Sequence, residues 1–388
     1  MRTRAAKTAR RKRLRIAQAI ASDAWGGRER TPLLLARGLR ARGHAVSVWA
    51  DPEAPAAAEA CRLGIPLLPF RRKGHLNPGG ILQVSRALAA FKPHVLHLHH
   101  TRDLWMAVPG LAGSGWKGPL FLTKHVGSSV VKKDILHAGL YRRVDRVFTC
   151  SRVILRNVLE TTSVAPERVQ VSYAPVDLDL FRFDPAARGR VRRAWGVREG
   201  RLVVGMVARL SPGKGHEILM QAAALLRATF PGVMFRMAGD ASRSEAGYKA
   251  RLLGMRDSLG LADGFLFDGY VPDVPAFLSG LDVVVHSAKA EAFGLAAVEA
   301  MACGRPVVGR AGEGLEEIIV DGRGGMLVDS DDPIAWARVL RDVLGRKSVL
   351  LRMAYQARKQ AARFSLERLA KFHEDAYYES LAGKGILI

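Results

Sequence analysis

Residues 287–304 read SAKAEAFGLAAVEAMACG and follow the short apolar run Val283–His286. A buried strand followed by a helix is typical of a parallel sheet, and the stretch predicts a loop and then a helix from about Phe293. The start of that helix would offer free N–H groups and the positive end of the dipole to an anion. The alternative is an ordinary helix with an acidic start. Candidate ligands of a phosphate and a diol are Glu291, Glu299 and the amides of Phe293, Gly294 and Leu295.

A second loop with candidate phosphate ligands is residues 207–216, VARLSPGKGH, which also follow an apolar strand. Arg209 and Lys214 are two cations five residues apart, and they could clamp a diphosphate as a planar fork and a point charge. The loop is not a Walker motif, because Ala208 and Gly215 occupy positions that need Gly and Ser or Thr. Two solvated surface cations are the alternative.

Two further features follow strands of the first half. Residues 22–30, SDAWGGRER, contain Gly26 and Gly27, whose N–H groups could face a phosphate or form only a tight turn. His125 ends another strand, where it could contact a substrate hydroxyl or serve as a core histidine. His97 and His99 share one strand face, but no third ligand has suitable spacing, so we expect no metal site.

Strands and helices alternate along the whole chain, which favours parallel sheets with helices on both faces. Residues 31–42 predict the first helix, and residues 177–200 are interpreted as a linker because proline and glycine interrupt a charged run. We expect a basic tail at 1–13, two α/β domains at 14–184 and 185–365, and a terminal helix at 366–388 that packs back on the first domain.

The chain is strongly basic, with a formal net charge of +24 over 388 residues. Residues 1–15 contain eight Lys or Arg and no acid, which is typical of a solvated tail or of a segment attracted to an anionic partner. Zinc-finger spacing, RNP-type aromatics and a basic zipper helix are all missing, so nucleic acid is not an expected partner.

The cysteines and the apolar segments indicate in which cellular compartment we expect the protein. Cys61, Cys150 and Cys303 are too few and too far apart for a disulfide framework, and we expect buried reduced thiols. No apolar run reaches eighteen residues, and no signal-peptide core follows the basic start. We therefore expect a cytoplasmic protein, with a possible place at the inner face of the cytoplasmic membrane.

Taken in order, these stretches resemble the retaining glycosyltransferases of the GT-B fold, glycosyltransferase family four (glycosyl transferases group 1). EAFGLAAVE at 291–299 matches the paired-glutamate pattern, and RLSPGKG at 209–215 matches the diphosphate loop. Further matches are MAGD ending at Asp240, FLFDGYVPD at 265–273 and CGRPVV from Cys303. One departure is YAPVD at 173–177, where the family often has Pro-Asn-Gly-Val-Asp.

The resemblance implies two doubly wound Rossmann-like domains that face a central cleft, with the acceptor on the first and the nucleotide sugar on the second. The implied catalytic residues are Glu291, His125, Arg209 and Lys214. The implied donor-binding residues are Gly26, Gly27, Arg209, Lys214, Tyr270, Val271, Glu291, Phe293, Gly294, Leu295 and Glu299. It further implies a nucleoside-diphosphate sugar as co-substrate, with no other cofactor and no divalent metal.

The function implied by the resemblance is transfer of a sugar to a hydroxyl acceptor with retention of anomeric configuration. We expect the acceptor to be a cell-envelope glycan or glycolipid such as a lipopolysaccharide precursor, and we expect peripheral contact with an anionic membrane. Two alternatives are a sugar-nucleotide epimerase on the same scaffold and a non-enzymatic protein that binds an anionic polymer.

Overall fold

A computed structural model describes residues 12–71, 74, 77–242, 245–312 and 314–386, so residues 1–11 of the expected basic tail lie outside the described chain. The strands are β1 (Arg15–Ile20), β2 (Ala45–Ala50), β3 (Leu67–Pro69), β4 (Val95–Leu98), β5 (Leu120–Lys124), β6 (Arg146–Thr149), β7 (Val169–Val171), β8 (Val203–Val207), β9 (Met234–Ala238), β10 (Phe265–Gly269), β11 (Val283–His286), β12 (Val307–Arg310) and β13 (Gly325–Val328).

The helices cover the faces and edges of the sheets. They are α1 (Gly27–Ala41), α2 (Pro55–Arg62), α3 (Pro78–Phe91), α4 (Leu104–Ser114), α5 (Ile135–Arg142), α6 (Arg152–Thr161), α7 (Pro185–Ala194), α8 (His216–Arg227), α9 (Ala246–Ser258), α10 (Val274–Gly280), α11 (Leu295–Ala302), α12 (Leu315–Ile318), α13 (Pro333–Leu344), α14 (Lys347–Ala361) and α15 (Leu366–Gly383). Among the described residues, none of these helices is both long and apolar enough to cross a membrane.

The chain divides into two compact units. The first unit contains the chain up to Cys150, Ile154–Ser172 and the end of the chain from Leu369, and the second contains Ser151–Val153 and Tyr173–Arg368. The first sheet has the order β3-β2-β1-β4-β5-β6-β7 and the second has β10-β9-β8-β11-β12-β13. All strand pairs in both sheets are parallel, which confirms the predicted pair of parallel-sheet α/β domains.

The strand order of each sheet reverses beside its first strand. The chain runs outward from β1 to β3 and then returns to place β4 on the other side of β1, and it does the same around β8 with β11. At such switch points the loops leaving the two central strands diverge and open a crevice at the carboxyl ends. In the second unit, the loops after β8 and β11 therefore flank this crevice.

The last helix, α15, packs within the first unit. Tyr377 is fully buried there and its ring packs edge-on to Phe121, with centroids 4.8 Å apart. Glu374, one turn earlier, accepts hydrogen bonds from Arg42 and lies 2.8 Å from Nε2 of His44. Thus a segment from the end of the chain completes the core of the unit that contains its beginning.

The linker interpretation of residues 177–200 is wrong, because this segment contains α7. Asp184 caps the helix by accepting from the amides of Ala186 and Ala187. From inside the helix, Arg188 and Arg192 form ion pairs with the buried carboxylate of Asp282, at 2.7 and 3.1 Å. Proline at the first helical position suits a helix start, and here it was misread as a break.

The start of α1 and the exposure of one cysteine also differ from the predictions. The first helix begins at Gly27 rather than at the predicted position 31, since Gly26 occupies the cap position and the Thr31 hydroxyl bonds the Gly27 carbonyl inside the helix. Cys61 lies exposed on α2, whereas Cys150 and Cys303 are buried as expected, and all three are free thiols.

Candidate functional site

The loops after β8 and β11 are joined to each other by backbone contacts. The Ser287 hydroxyl donates to the Gly215 carbonyl at 2.9 Å, and the Lys289 amide donates to the Gly213 carbonyl at 3.0 Å. Gly215 has a φ of +80°, and a Cβ at this position would overlap the Ser287 carbonyl. The structure thus brings together the two stretches that the sequence singled out in the second unit.

Lys214 and Glu291 form an ion pair between these loops. Lys214 Nζ lies 2.9 Å from Glu291 Oε2, and His286 Nε2 lies 3.3 Å from the same oxygen. Burial opposes ionisation of Glu291, but the nearby His286 and the charge of Lys214 outweigh it and hold the pKa of Glu291 at about 2. The carboxylate is therefore ionised at neutral pH, where it can accept hydrogen bonds but cannot act as a general acid.

The backbone turns sharply into α11 beside this ion pair. Gly294 caps the helix with a φ of +99°, a conformation that favours glycine, and α11 begins at Leu295, two residues later than predicted. Within the described chain, the amides of Phe293, Gly294 and Leu295 donate to no protein acceptor. Gly314 allows the close packing behind them, because its Cβ would lie 2.5 Å from the Phe293 Cα.

An aromatic cluster fixes the side chain that precedes this turn. The buried Phe293 ring stacks on Tyr173 with centroids 5.8 Å apart and meets Phe364 edge-on at 5.4 Å. The Tyr173 hydroxyl donates to Glu317 Oε2 at 2.9 Å. Tyr173 is the first residue of YAPVD, the segment that differs from the family pattern. Its ring packs against Phe293 and so supports the start of the helix.

Arg209 is exposed and Glu299 is buried, whereas Lys214 lies in the ion pair with Glu291. The Arg209 side chain is 65% exposed and its Nε lies 3.7 Å from Glu245 Oε2, so in this structure its guanidinium faces Glu245. Glu299 is buried in the second turn of α11, as its spacing from Glu291 predicts. Of the two cations predicted to clamp a diphosphate, Lys214 therefore lies in the ion pair with Glu291, and Arg209 lies at the other end of the same loop.

Tyr270 and Val271 follow β10 at the same edge of the second sheet. Tyr270 is 75% exposed. Just before it, the Gly269 carbonyl at the end of β10 accepts from the Gly239 amide at 2.7 Å, and both glycines have positive φ.

In the first unit, Gly26 and Gly27 form the turn from β1 into α1. Gly26 has extended backbone, and the first turn of α1 contains the buried Glu29. Glu29 accepts from the Ser22 hydroxyl at 2.8 Å and from Arg28 Nε at 2.7 Å. A protein carboxylate therefore occupies part of the positive environment at the start of α1.

His125 directly follows β5 and lies inside a network of neutral side chains. His99 Nε2 lies 2.6 Å from Gln18 Oε1, which can only accept, so His99 Nδ1 accepts from His125 Nε2 at 3.2 Å. Burial, and then the charge of Arg28, lower the pKa of His125 to about 3. Its Nδ1, for which no partner lies within the described chain, is an acceptor.

The neighbouring histidines are occupied by protein partners. His97 lies in β4 and His99 directly follows it, and their ring centroids are 4.3 Å apart, so the two rings lie on the same side as predicted. His97 bonds the Tyr377 hydroxyl and the Thr123 hydroxyl, each at 2.7 Å. In the part of the chain that the structure describes, no group of three His, Cys, Asp or Glu side chains could hold a metal ion.

Sequence reasoning missed three supporting residues of the second unit. His286, Ser287 and Gly314 position Glu291, Gly215 and Phe293 respectively. His286 is the last residue of β11, and a polar residue at a strand's carboxyl end was the available signal. Gly314 follows β12 with no comparable signal, because its role depends on a close approach between segments distant in sequence.

The junction between the two loops gives a matched test. Gly213 and Gly215 both have φ near +80°, but a Cβ on Gly213 meets open space whereas one on Gly215 overlaps Ser287. We expect Gly213→Ala to lower the free energy of unfolding by ~1–2 kcal/mol through backbone strain alone. Gly215→Ala should cost a further ~1–3 kcal/mol because the loops must separate. Urea denaturation measures both, and equal losses would contradict the junction.

Two family profiles match the chain. The glycosyl transferases group 1 profile matches residues 188–360, and the Glycosyltransferase Family 4 profile matches residues 25–180. A protein of Salinispora arenicola named D-inositol 3-phosphate glycosyltransferase is 32% identical over 334 residues, covering 79% of this chain and 73% of that protein. One of the same name from Mycolicibacterium smegmatis is 32% identical over 303 residues, covering 73% and 67%.

Solved structures share the fold across almost the whole chain. HepE of Anabaena, crystallised with UDP, has a TM-score of 0.82 at 22% identity and covers 94% of this chain and 100% of that one. A glycosyltransferase of Rickettsia africae has a TM-score of 0.84 at 19% identity, with 96% and 99% covered. The chain therefore belongs to glycosyltransferase family four, the glycosyl transferases group 1, and is a glycosyltransferase of the GT-B type.

Proposed function

We propose that this glycosyltransferase moves a sugar from a nucleoside diphosphate to a hydroxyl acceptor with retention of anomeric configuration. The observation that carries the proposal is the 2.9 Å Lys214–Glu291 ion pair beside the amides at the start of α11, which have no acceptor among the described residues. Related proteins support it, since HepE was crystallised with UDP-glucose and the relatives are named glycosyltransferases. No other cofactor is needed for this reaction.

The leaving diphosphate would gain stabilisation from Lys214 and from the amides of Phe293, Gly294 and Leu295. These groups are already in place before the reaction. Little reorganisation is therefore needed as negative charge develops on the departing oxygen. Because a cation and a helix start supply the positive field, the proposal requires no divalent metal. Arg209 would join Lys214 by turning from Glu245, at 3.7 Å, toward the incoming phosphates.

The remaining donor groups are assigned by their chemistry. Glu291 is ionised and would accept from sugar hydroxyls, while the buried Glu299 would accept from the ribose diol. The backbone at Tyr270 and Val271 would face the base. For the first unit, taken by itself, we propose that the amides of the Gly26–Gly27 turn bind a phosphate and that the neutral His125 contacts a sugar hydroxyl through Nδ1.

The donor site is tested by removing one charged side chain at a time and measuring nucleotide-sugar affinity. Lys214→Met should weaken nucleotide-sugar binding by roughly 10- to 100-fold, since a charge-assisted hydrogen bond of about 1.5–3 kcal/mol is lost and Glu291 is left facing the diphosphate. Lys289→Met is the matched control, because this exposed lysine lies on the loop after β11, near Glu291 in sequence, and pairs with Asp331 at 2.9 Å. It should leave affinity within about twofold.

A thermal-shift screen of UDP-, GDP- and ADP-sugars identifies the donor for that comparison, because a ligand that binds only the folded state raises its melting temperature. If no common sugar nucleotide binds the wild-type protein, the donor site is wrong. If a donor binds and is isomerised without an acceptor, the epimerase alternative replaces the transferase. Salt-sensitive binding of polyanions alone would favour the non-enzymatic alternative.

The stereochemistry needs its own measurement. Glu291 is held ionised by Lys214 and His286, and we assign it to hydroxyl binding rather than to covalent attack. Retention predicts that an α-linked donor yields an α-linked product, which the H1–H2 coupling constant of the isolated product reports by proton NMR. A β-linked product from the same donor would contradict retention.

For the acceptor, we propose a membrane-borne cell-envelope glycan or glycolipid, such as a lipopolysaccharide precursor. What supports a membrane-borne acceptor is the set of exposed apolar side chains in the loop after β5 and at the start of α5, namely Val126, Val130, Val131, Ile135 and Leu136. Lys132 and Lys133 interrupt it, and apolar groups flanked by lysines suit an anionic membrane. The relatives' name points instead to an inositol phosphate, a small soluble acceptor.

Vesicle flotation tests whether the protein binds membranes, as a membrane-borne acceptor predicts and a small soluble acceptor does not. Ile135 is 90% exposed, and Ile135→Asp should reduce flotation of the protein with phosphatidylcholine–phosphatidylglycerol vesicles several-fold. Leu351→Asp is the matched control, since Leu351 is 62% exposed on α14 of the second unit and should have little effect. Equal binding of the wild-type protein to neutral and anionic vesicles would remove the membrane proposal.

A further inference from the structure

A cavity lined mainly by cations lies at the amino edge of the first sheet, away from the edge that carries His125. Its volume is about 530 Å³, within the range of roughly 300–1,000 Å³ that is typical of small-molecule sites. The segments just before β5, β6 and β7 and the residue after α15, all of the first unit, contribute five cations and one carboxylate: Lys117, Arg142, Arg143, Arg168, Lys384 and Asp145. A concave surface of one charge sign concentrates the field and attracts ions of the opposite sign.

The carboxylate of this cavity is already neutralised by protein groups. Asp145 Oδ1 lies 2.7 Å from Lys384 Nζ, and its Oδ2 lies 3.2 Å from Arg143 Nη1. The Leu120 amide also donates to Oδ2, at 2.8 Å. Both oxygens of Asp145 therefore have partners, and the positive charge of the remaining side chains is not offset by this carboxylate.

An alternative role for these cations is helix capping, because the helices of a parallel α/β sheet end at this edge and their last carbonyls favour positive charge. Arg168 has this role, since its Nη1 donates to the carbonyls of Arg142 and Val144, at 3.4 and 3.5 Å, where α5 ends. The side chains of Lys117 and Arg142 are exposed, and within the described chain neither bonds a carbonyl or forms an ion pair. Capping therefore leaves two cations of the cavity without a structural role.

Two guanidinium groups of the cavity are held in place by the backbone. Arg143 Nη2 donates to the Gly118 carbonyl at 2.8 Å, and its guanidinium carbon lies 5.5 Å from the centre of the Trp116 ring. That ring is fixed in turn, because Trp116 Nε1 donates to the Pro93 carbonyl at 2.9 Å. The Nε and Nη2 groups of Arg168 donate to no acceptor among the described residues. A guanidinium with a fixed position and free N–H groups is suited to binding phosphate oxygens.

We propose that this cavity is a second ligand site, which binds the phosphate groups of a soluble small molecule that carries at least two of them. Five cations against one carboxylate provide more charge than a single phosphate group needs. A membrane is a less suitable partner, because the apolar residues among the described lining are the buried Val144 and the half-buried Trp116. The inference goes beyond the proposed function and does not depend on it. A bound ligand would link Lys384, after α15, to the segments before β5 and β6, and would thus stabilise the first unit.

Inorganic diphosphate is the probe, measured by isothermal titration calorimetry on the full-length protein at neutral pH and low ionic strength. Diphosphate would also fit the donor loop, so every protein in the comparison carries Lys214→Met. Lys117→Gln combined with Arg142→Gln should lower diphosphate affinity about tenfold or more, because charge-assisted contacts are lost. Lys133→Gln combined with Arg156→Gln is the matched control, since it removes the same two residue types from exposed positions of the first unit outside the cavity. It should leave affinity within about twofold.

The melting temperature gives a second measurement. Diphosphate should raise it in the control and have a smaller effect in the cavity variant, whose own melting temperature should be unchanged or higher because the replaced side chains are exposed and unpaired. Equal diphosphate affinity of the cavity variant and the control would overturn the inference, as would the absence of diphosphate binding. Flotation with phosphatidylcholine–phosphatidic acid vesicles that depends on Lys117 and Arg142, without diphosphate binding, would assign the cavity to a membrane and overturn it too. None of these results affects the donor site, which is tested by sugar-nucleotide binding.

Discussion

The ion pair between Lys214 and Glu291 connects the two loops on which the second unit's site depends. It joins the end of β8 to the end of β11 across the point where the strand order reverses. The glycine junction at Gly215 and Ser287 keeps the loops close enough for the pair to form. Because the carboxylate is held ionised, the lysine is positioned before any ligand arrives, and an anionic ligand would compete with the Glu291 carboxylate for the charge of Lys214.

The first unit uses polar side chains in another way. Its central histidines are kept neutral by burial and bond one another, Gln18, Thr123 and Tyr377. A chain of neutral donors and acceptors fixes which nitrogen of His125 carries the proton.

Much of this could be predicted from sequence because both units repeat a simple rule of apolar strand and covering helix. The parallel sheets and the placement of Glu291, Glu299 and Lys214 follow from local pattern alone. The helix α7 was missed because proline at its start resembles a break, and the helices α4, α5 and α9 carry weak periodic signals. The orientation of Arg209 toward Glu245 and the role of Gly314 depend on contacts between distant segments, which no local pattern encodes.

The packing of α15 into the first unit has a consequence for biosynthesis. The ribosome releases Tyr377 only after every strand of the second unit, although this ring fills the core built on β4 and β5. The first unit must therefore keep an open hydrophobic face until α15 has emerged, long after its own strands have been made. The half that is synthesised first is the one that needs protection from aggregation for the longest time.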